Sequence, residues 1–361
     1  MRPKDHPDLH LDVIPKMYDP HFKVFVTSLC HVQKQLEKLP RRFCRMYTTD
    51  ALATQLLKYL KSLKANITKQ DFNVVKEGQP FPLILSDGKR LEAMLCSGSH
   101  LGHSLILLIR RQQGGRLLYC YSAMRLDNIG RLLGNPIFNS WIAAGTDQLY
   151  LNLSSVNMPF VHVDFDEMAI TIKEHGSRNN NSVVHLDVPL FGYEELLWKL
   201  AQTRLRGHIR LDEKLAESYK CLSSDLECIQ EKNNYIPRVY VYGSLEDAEQ
   251  MYEPRNVVSL DIKNLKWSPT PTRMHLRQLC SLLRPQHIQG IVPFQSDGVI
   301  PPIPPFLKRF KANYSPQTEA AVSRIHNLSP KKGEKQGPYR AVQARKAFEF
   351  LNDGDNSSDS D

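Results

Sequence analysis

The sequence predicts an α/β protein in which stacked sheets are flanked by helices, with a second, smaller α/β unit set into the chain. Three observations predict it. Residues 81–125 read as successive hairpins of long apolar strands, residues 161–255 alternate helix and strand patterns, and leucines at helical spacing mark helices on either side of the hairpins. Neither G-x-G-x-x-G nor a Walker pattern occurs, so dinucleotide and P-loop chemistry have no support.

Composition sets the bounds. With 361 residues, 41% hydrophobic and 24% charged, the chain is long enough for one large domain or two ordinary ones. The longest apolar runs, such as "SLILLI", are strand-sized, so no membrane span is expected, and "MRPKDHPDLH" has no signal-peptide core. Seven scattered cysteines without a C-x-x-C pair argue for a reducing compartment and against a disulfide framework or a thiolate zinc knuckle. The formal charge is +9, although the last ten residues, "NDGDNSSDSD", carry four aspartates and no base. A folded part that basic fits a polyanion partner.

Taken in order, "VFVTS" from Val24 reads as a buried strand emptying into a loop that carries His31. "DALATQLLKYLKSLK" places Leu52, Leu56, Leu57, Leu60 and Leu63 at helical spacing, with Thr49 or Asp50 as cap; Lys58, Lys61 and Lys64 fall on the other side. That side reads either as a solvated face or as a phosphate-facing stripe. "PLILSDGKRLEAML" is a hairpin turning at Asp87-Gly88, and "SLILLIRRQQGGRLLYCYSAMR" another turning at Gly114-Gly115. An irregular stretch then leads to the strand "DQLYLNLSS".

"DFDEMAITIKEHG" and "GYEELLWKLAQTRLRG" read as helices, as does "DEKLAESYKCLSSDLECIQEK"; "SVVHLDVPLF" and "RVYVYGS" read as strands. "HVDFDE" mimics a ligand ladder in His162, Asp164 and Asp166, but a helix begins there and the acids suit its cap and first turn. His100 and His103 of "HLGH" read as loop residues. The chain returns with the strand "NVVSLDI" and the loop "WSPTPT". A helix over "TRMHLRQLCSLLRP", with Leu276, Leu279, Cys280 and Leu283 as its core stripe, and the strand "HIQGIVPF" follow. From residue 312 the composition turns basic and then acidic, the pattern of a disordered tail. Within it "ARKAFEFL" reads as a short helix for docking a partner, and the serines of "NSSDSD" beside acids read as phosphorylation sites.

The order of these parts resembles the DNA cross-link-repair nucleases of the metallo-β-lactamase superfamily, the Apollo/Artemis type with a β-CASP insertion. "RMYTTDALATQLL" resembles their "YCS/T-P-x-T-x-x-LL" segment and "GRLLYCYSAMR" their "G-x-I-L-Y-T-G-D-F-R". "LYLNLSSVNMP" is similar to "LYLDxTxxxP" and "LFGYEELL" to the insertion's "LGKExLL". "WSPTPTRMHLRQLCSLLRPQHIQGIVP" is similar to "YSxHSSYxELxxFVxxLKPxxIIPxV". The resemblance spans residues 10–310. It implies an αββα four-layer sandwich in residues 1–160 and 256–311, a β-CASP-like insertion over 161–255, and a tail over 312–361.

It also implies a centre of one or two zinc ions, held by converging His and Asp, that activates water for 5′ exonuclease chemistry. This chain departs from that pattern. H-x-H-x-D-H falls on Leu29, His31, Gln33 and Lys34; the remaining ligand positions fall on Ser99, Ala123, Asn152 and Thr270. The lysine of the insertion's "GKE" turn becomes Tyr193, leaving Gly192 and Glu194. An ammonium about 4 Å from a dication is repelled by about 8 kcal/mol at an effective dielectric of 20, so Lys34 opposes metal, and His31 alone cannot hold zinc.

The expectation is therefore a catalytically inactive relative without zinc, binding DNA or chromatin in the nucleus for repair or telomere protection. Lys58, Lys61, Lys64, Lys308 and Arg309 are the candidate DNA contacts, and protein partners are expected on the insertion and residues 312–361. Two alternatives stay open: a protein–protein platform without DNA binding, and an active exonuclease with an unorthodox metal site.

Overall fold

The computed structural model describes residues 1–62, 67–112, 114–158, 163–178, 183–219, 238–252, 256–292 and 299–313. They belong to one compact unit, Met1–Tyr314. Lys64, His162 and the tail with its docking helix and serines lie outside the described residues. Among the described residues the chain is mixed α/β, with three sheets.

The first sheet is wholly parallel: β1 (Leu9–Leu11), β2 (Lys23–Phe25), β3 (Met46–Thr48) and β4 (Phe72–Val74), in that order. Parallel neighbours need crossovers, and two of these are helices, α1 (Leu29–Leu36) between β2 and β3 and α2 (Asp50–Ser62) between β3 and β4. In α2 the leucines at 52, 56 and 60 are buried as their spacing predicts. His31 corrects the sequence reading, because it lies in α1 and not in a loop. Leu29, Val32 and Leu36 make one apolar face, so the chain turns helical at Ser28 to bury it.

The second sheet contains the predicted hairpins: β5 (Phe81–Ile84), β6 (Arg90–Ser97), β7 (Leu105–Arg111) and β8 (Arg116–Cys120), all antiparallel, with β9 (Gln148–Leu151) parallel to β8. Gly88 (φ 77°) supplies the left-handed backbone of the first turn. Period-2 alternation divides the strands between two cores. Leu91, Ala93, Leu95, Leu107 and Ile109 face the first sheet's side chains, where Phe81 stacks on Tyr47 at 5.8 Å and on Phe25 at 6.4 Å.

Met94, Cys96, Ile106 and Leu108 face a helical layer. Two of its helices, α3 (Leu126–Leu133) and α4 (Pro136–Ala144), correct the irregular stretch the sequence predicts there. The signal was present, since Pro136 occupies the first turn and Asn135 caps it through the backbone N–H groups of Ile137 and Phe138.

A smaller parallel sheet follows. Its elements run α5 (Phe165–Ser177), β10 (Val183–Asp187), α6 (Glu194–Ala201), β11 (Ile209–Leu211), α7 (Glu213–Tyr219), β12 (Val239–Val241), α8 (Leu245–Tyr252) and β13 (Val257–Asp261). The strand order is β11-β12-β10-β13. Asp164 caps α5 as expected, accepting from the N–H groups of Asp166 and Glu167. The helix expected over 192–207 stops at Ala201, and turns follow. Strand β13 was expected to begin the return to the main sheets, but it pairs with β10 over its whole length. The smaller unit thus reaches Asp261.

The return comes with α9 (Arg273–Leu283), whose leucine stripe enters the second core, and β14 (His287–Gly290), which pairs with β9. Arg284 takes a left-handed conformation after the helix, immediately before Pro285. A short α10 (Pro305–Lys308) packs against α9.

Candidate functional site

Five chain segments converge on one small cavity. They are the β2–α1 turn (Ser28, Leu29, Cys30), the β6–β7 connection (Ser99, His103, Ser104), the segment after β8 (Ser122, Ala123, Arg125), the β10–α6 turn (Phe191, Gly192, Glu194, Glu195) and Pro269. Its volume is about 10 Å³, room for about one water molecule.

The turn that delivers Ser28 and Cys30 is fixed from below by Asp12. This fully buried carboxylate accepts from the Thr27 N–H and the Thr27 hydroxyl, both at 2.6 Å, and from the Tyr119 hydroxyl at 3.0 Å. Sγ of Cys30 and Oγ of Ser28 are 3.2 Å apart. Burial pushes the Cys30 thiol up to about 12, so it is no thiolate at neutral pH. Gly192 makes the opposite approach possible. At φ 104° it lies so close that an added Cβ would stand 2.9 Å from Cys30 Sγ and 3.0 Å from Pro269 Cβ.

Two adjacent glutamates from the start of α6 carry the charge. Glu194 accepts from the Gly192 N–H at 2.8 Å and from Gln55 Nε2 at 3.0 Å. Its Oε2 is 3.6 Å from His103 Nε2, while His103 Nδ1 is 3.3 Å from the Ser99 hydroxyl. The spacing is that of an ion pair, but burial pushes Glu194 up to about 7 and His103 down to about 4. Between those values both are neutral. Glu195 is ionically paired instead: Arg125 Nε donates to its Oε2 at 3.0 Å, and the guanidinium also donates to the Ser268 carbonyl and stacks 3.7 Å from the Trp267 ring centroid.

Of the positions predicted from the sequence, Leu29, Ser99 and Ala123 line this cavity. Thr270 is one residue from the lining Pro269 and shares hydroxyl contacts with Ser155 (2.5 Å) and Ser268 (2.9 Å). Asn152 accepts from the Ser154 N–H. The others are not brought in. His31 packs on Tyr121 with ring centroids 4.2 Å apart, its Nε2 buried without a partner, and burial pushes it down to about 3. Gln33 is half-buried and Lys34 is exposed in the last turn of α1. The expected repulsion of a dication by Lys34 is therefore withdrawn, because helix geometry turns the side chain to solvent.

His103, Arg125, Glu194 and Glu195, which do meet there, are not among the site residues the sequence predicts. No spacing rule joins them, since they come from three separate segments. The proposed DNA contacts also separate. Lys58 and Lys61 lie on α2 beside the first core, while Lys308 and Arg309 lie at α10, packed on the second.

Among the described residues no three His, Cys, Asp or Glu side chains are grouped to hold a metal ion. No helix among them is long and apolar enough to cross a membrane. Compared with known proteins, the sequence matches no family model and no curated protein.

Proposed function

We propose that the chain is a catalytically silent relative of the metallo-β-lactamase/β-CASP DNA cross-link-repair nucleases, its two packed sheets an αββα sandwich and its parallel sheet a β-CASP-like insertion. On this reading it serves in the nucleus as a DNA- or chromatin-binding scaffold in repair or telomere end protection. One observation carries the proposal: loop ends that such an enzyme would use for zinc meet at one cavity lined by Leu29, Ser99, Ala123 and Pro269.

The donor set there fits zinc poorly. Ligands must be deprotonated, yet the Cys30 thiol titrates near 12 and Glu194 near 7, and Arg125 brings a guanidinium to the same wall. A dication entering would have to displace that cation from Glu195 within a space of one water. The net charge of +9 supports the DNA half of the proposal.

The test uses the full chain and two assays. Fluorescence anisotropy with labelled DNA is expected to show binding that weakens steeply with salt; 5′-labelled DNA with Zn²⁺, Mg²⁺ or Mn²⁺ is expected to stay intact. Cleavage lost in His103→Ala would establish an unorthodox active site and overturn the silent reading. Binding too weak to measure at low salt would remove the DNA half and leave a protein–protein platform.

A further inference from the structure

Within the helical layer over the second sheet, α9 and α10 carry charge of one sign. Among the described residues from Ile262 to Asn313 there are eight lysines and arginines and no aspartate or glutamate; Asp297 lies outside them. Six of the eight belong to α9 and the segment beside it. Arg273 and Arg277 follow i, i+4 spacing, within about 40° of arc on a helix of 100° per residue, and Arg284 follows at the helix's C-terminal end. Arg277 and Arg284 are exposed.

The α10 segment runs alongside in the same direction. Phe306 lies under the Arg273 guanidinium at 4.8 Å, and the Ala312 N–H donates to the Pro285 carbonyl at 3.0 Å. Lys308, Arg309 and Lys311 therefore lie between the two ends of α9, and Lys308 and Arg309 are exposed. The neighbouring α4 has no charged residue, and Arg131 of α3 is paired with Glu77.

We propose that DNA docks on this strip, with the phosphates of one strand following the α9–α10 seam. The proposal rests on the DNA-binding reading above and gives it a place. Eleven residues of α9 span about 16 Å, and within that length the strip sets six cations against a duplex that presents a phosphate on each strand about every 3.4 Å of its axis. On α2, by contrast, Lys58 is half-buried and Lys61 exposed, and Arg110 and Arg111 of the second sheet are answered by carboxylates, Glu92 at 2.8 Å and Asp5 at 3.3 Å.

The experiment compares the full chain with two variants of equal charge. One carries Arg277→Gln, Arg284→Gln, Lys308→Gln and Lys311→Gln; the other carries Arg41→Gln, Arg45→Gln, Arg204→Gln and Arg206→Gln, four exposed arginines elsewhere. With about six phosphate contacts, wild-type affinity for a labelled duplex should fall about 10³-fold between 50 and 200 mM salt; with two left, the strip variant should lose only about 10-fold. The control variant should keep the wild-type slope.

A strip variant with the wild-type slope, or a control that loses as much, overturns the assignment of this surface while leaving DNA binding in place. A tenfold preference for RNA of the same sequence overturns DNA as the occupant. A wild-type chain without salt-dependent binding would overturn the DNA-binding reading itself, and this inference with it.

Discussion

Replacing Glu194 by Gln tests the electrostatics of the cavity most directly. Glu194 is 1% exposed, and burial raises its pKa from 4.5 to about 7. In the unfolded chain the carboxyl has its ordinary value, so between pH 4.5 and 7 the folded state keeps a proton that the unfolded state gives up. Its contribution is full below pH 4.5 and is lost as pH rises through 7. That interval corresponds to about 3 kcal/mol of folding stability.

His103 runs the other way. Its pKa is lowered from 6.5 to about 4, so its contribution is present above pH 6.5 and lost as pH falls toward 4. In the wild type the two slopes oppose each other between pH 4.5 and 6.5. Glu194→Gln removes one of them and adds a pH-independent cost of about 1 kcal/mol, because the amide has one accepting oxygen where the carboxyl group meets Gly192 N–H and Gln55 Nε2 with two. Urea unfolding followed by tryptophan fluorescence at pH 4.5, 6 and 8 should show the variant gaining about 3 kcal/mol on the wild type across that range. A difference that stays flat with pH would refute the claim that Glu194 is held protonated.

Three further outcomes are expected. Arg125→Ala leaves Glu195, 3% exposed, as an unpaired buried charge and should cost about 3–5 kcal/mol in chemical denaturation; adding Glu195→Gln should restore part of the loss. Asp12→Ala strands the Thr27 and Tyr119 donors and should cost about 3 kcal/mol by the same measurement, the sum of several lost buried partners. Gly192→Ala should lower the melting temperature more than Gly88→Ala. Both have positive φ, but only at Gly192 does the new methyl collide, with Cys30 and Pro269.

The local elements were legible because each depends on neighbours in sequence. Asp87-Gly88 and Gly114-Gly115 announce their hairpins through the φ that such turns need, Asp164 caps α5, and Pro285 follows the end of α9. The spacing of Leu29, Val32 and Leu36 also carries the helix that holds His31, but the apolar, β-branched run Val24–Thr27 just before it reads as a strand ending in a loop.

What only the tertiary structure decided is which distant side chains meet and which sheet a strand joins. A short parallel strand such as β13, with Val257, Val258 and Leu260 as its apolar residues, carries nothing that names its neighbour, and it pairs with β10 only because the fold brings them together. His103, Arg125 and Glu194 are brought together by three connections that share no repeat or spacing, and their charge states follow from burial, which a sequence does not contain. The sequence by itself determined the elements and the basic excess; packing determined that the cavity is lined by a neutral histidine, a protonated thiol and an arginine already paired, and that the cations gather along α9 and α10.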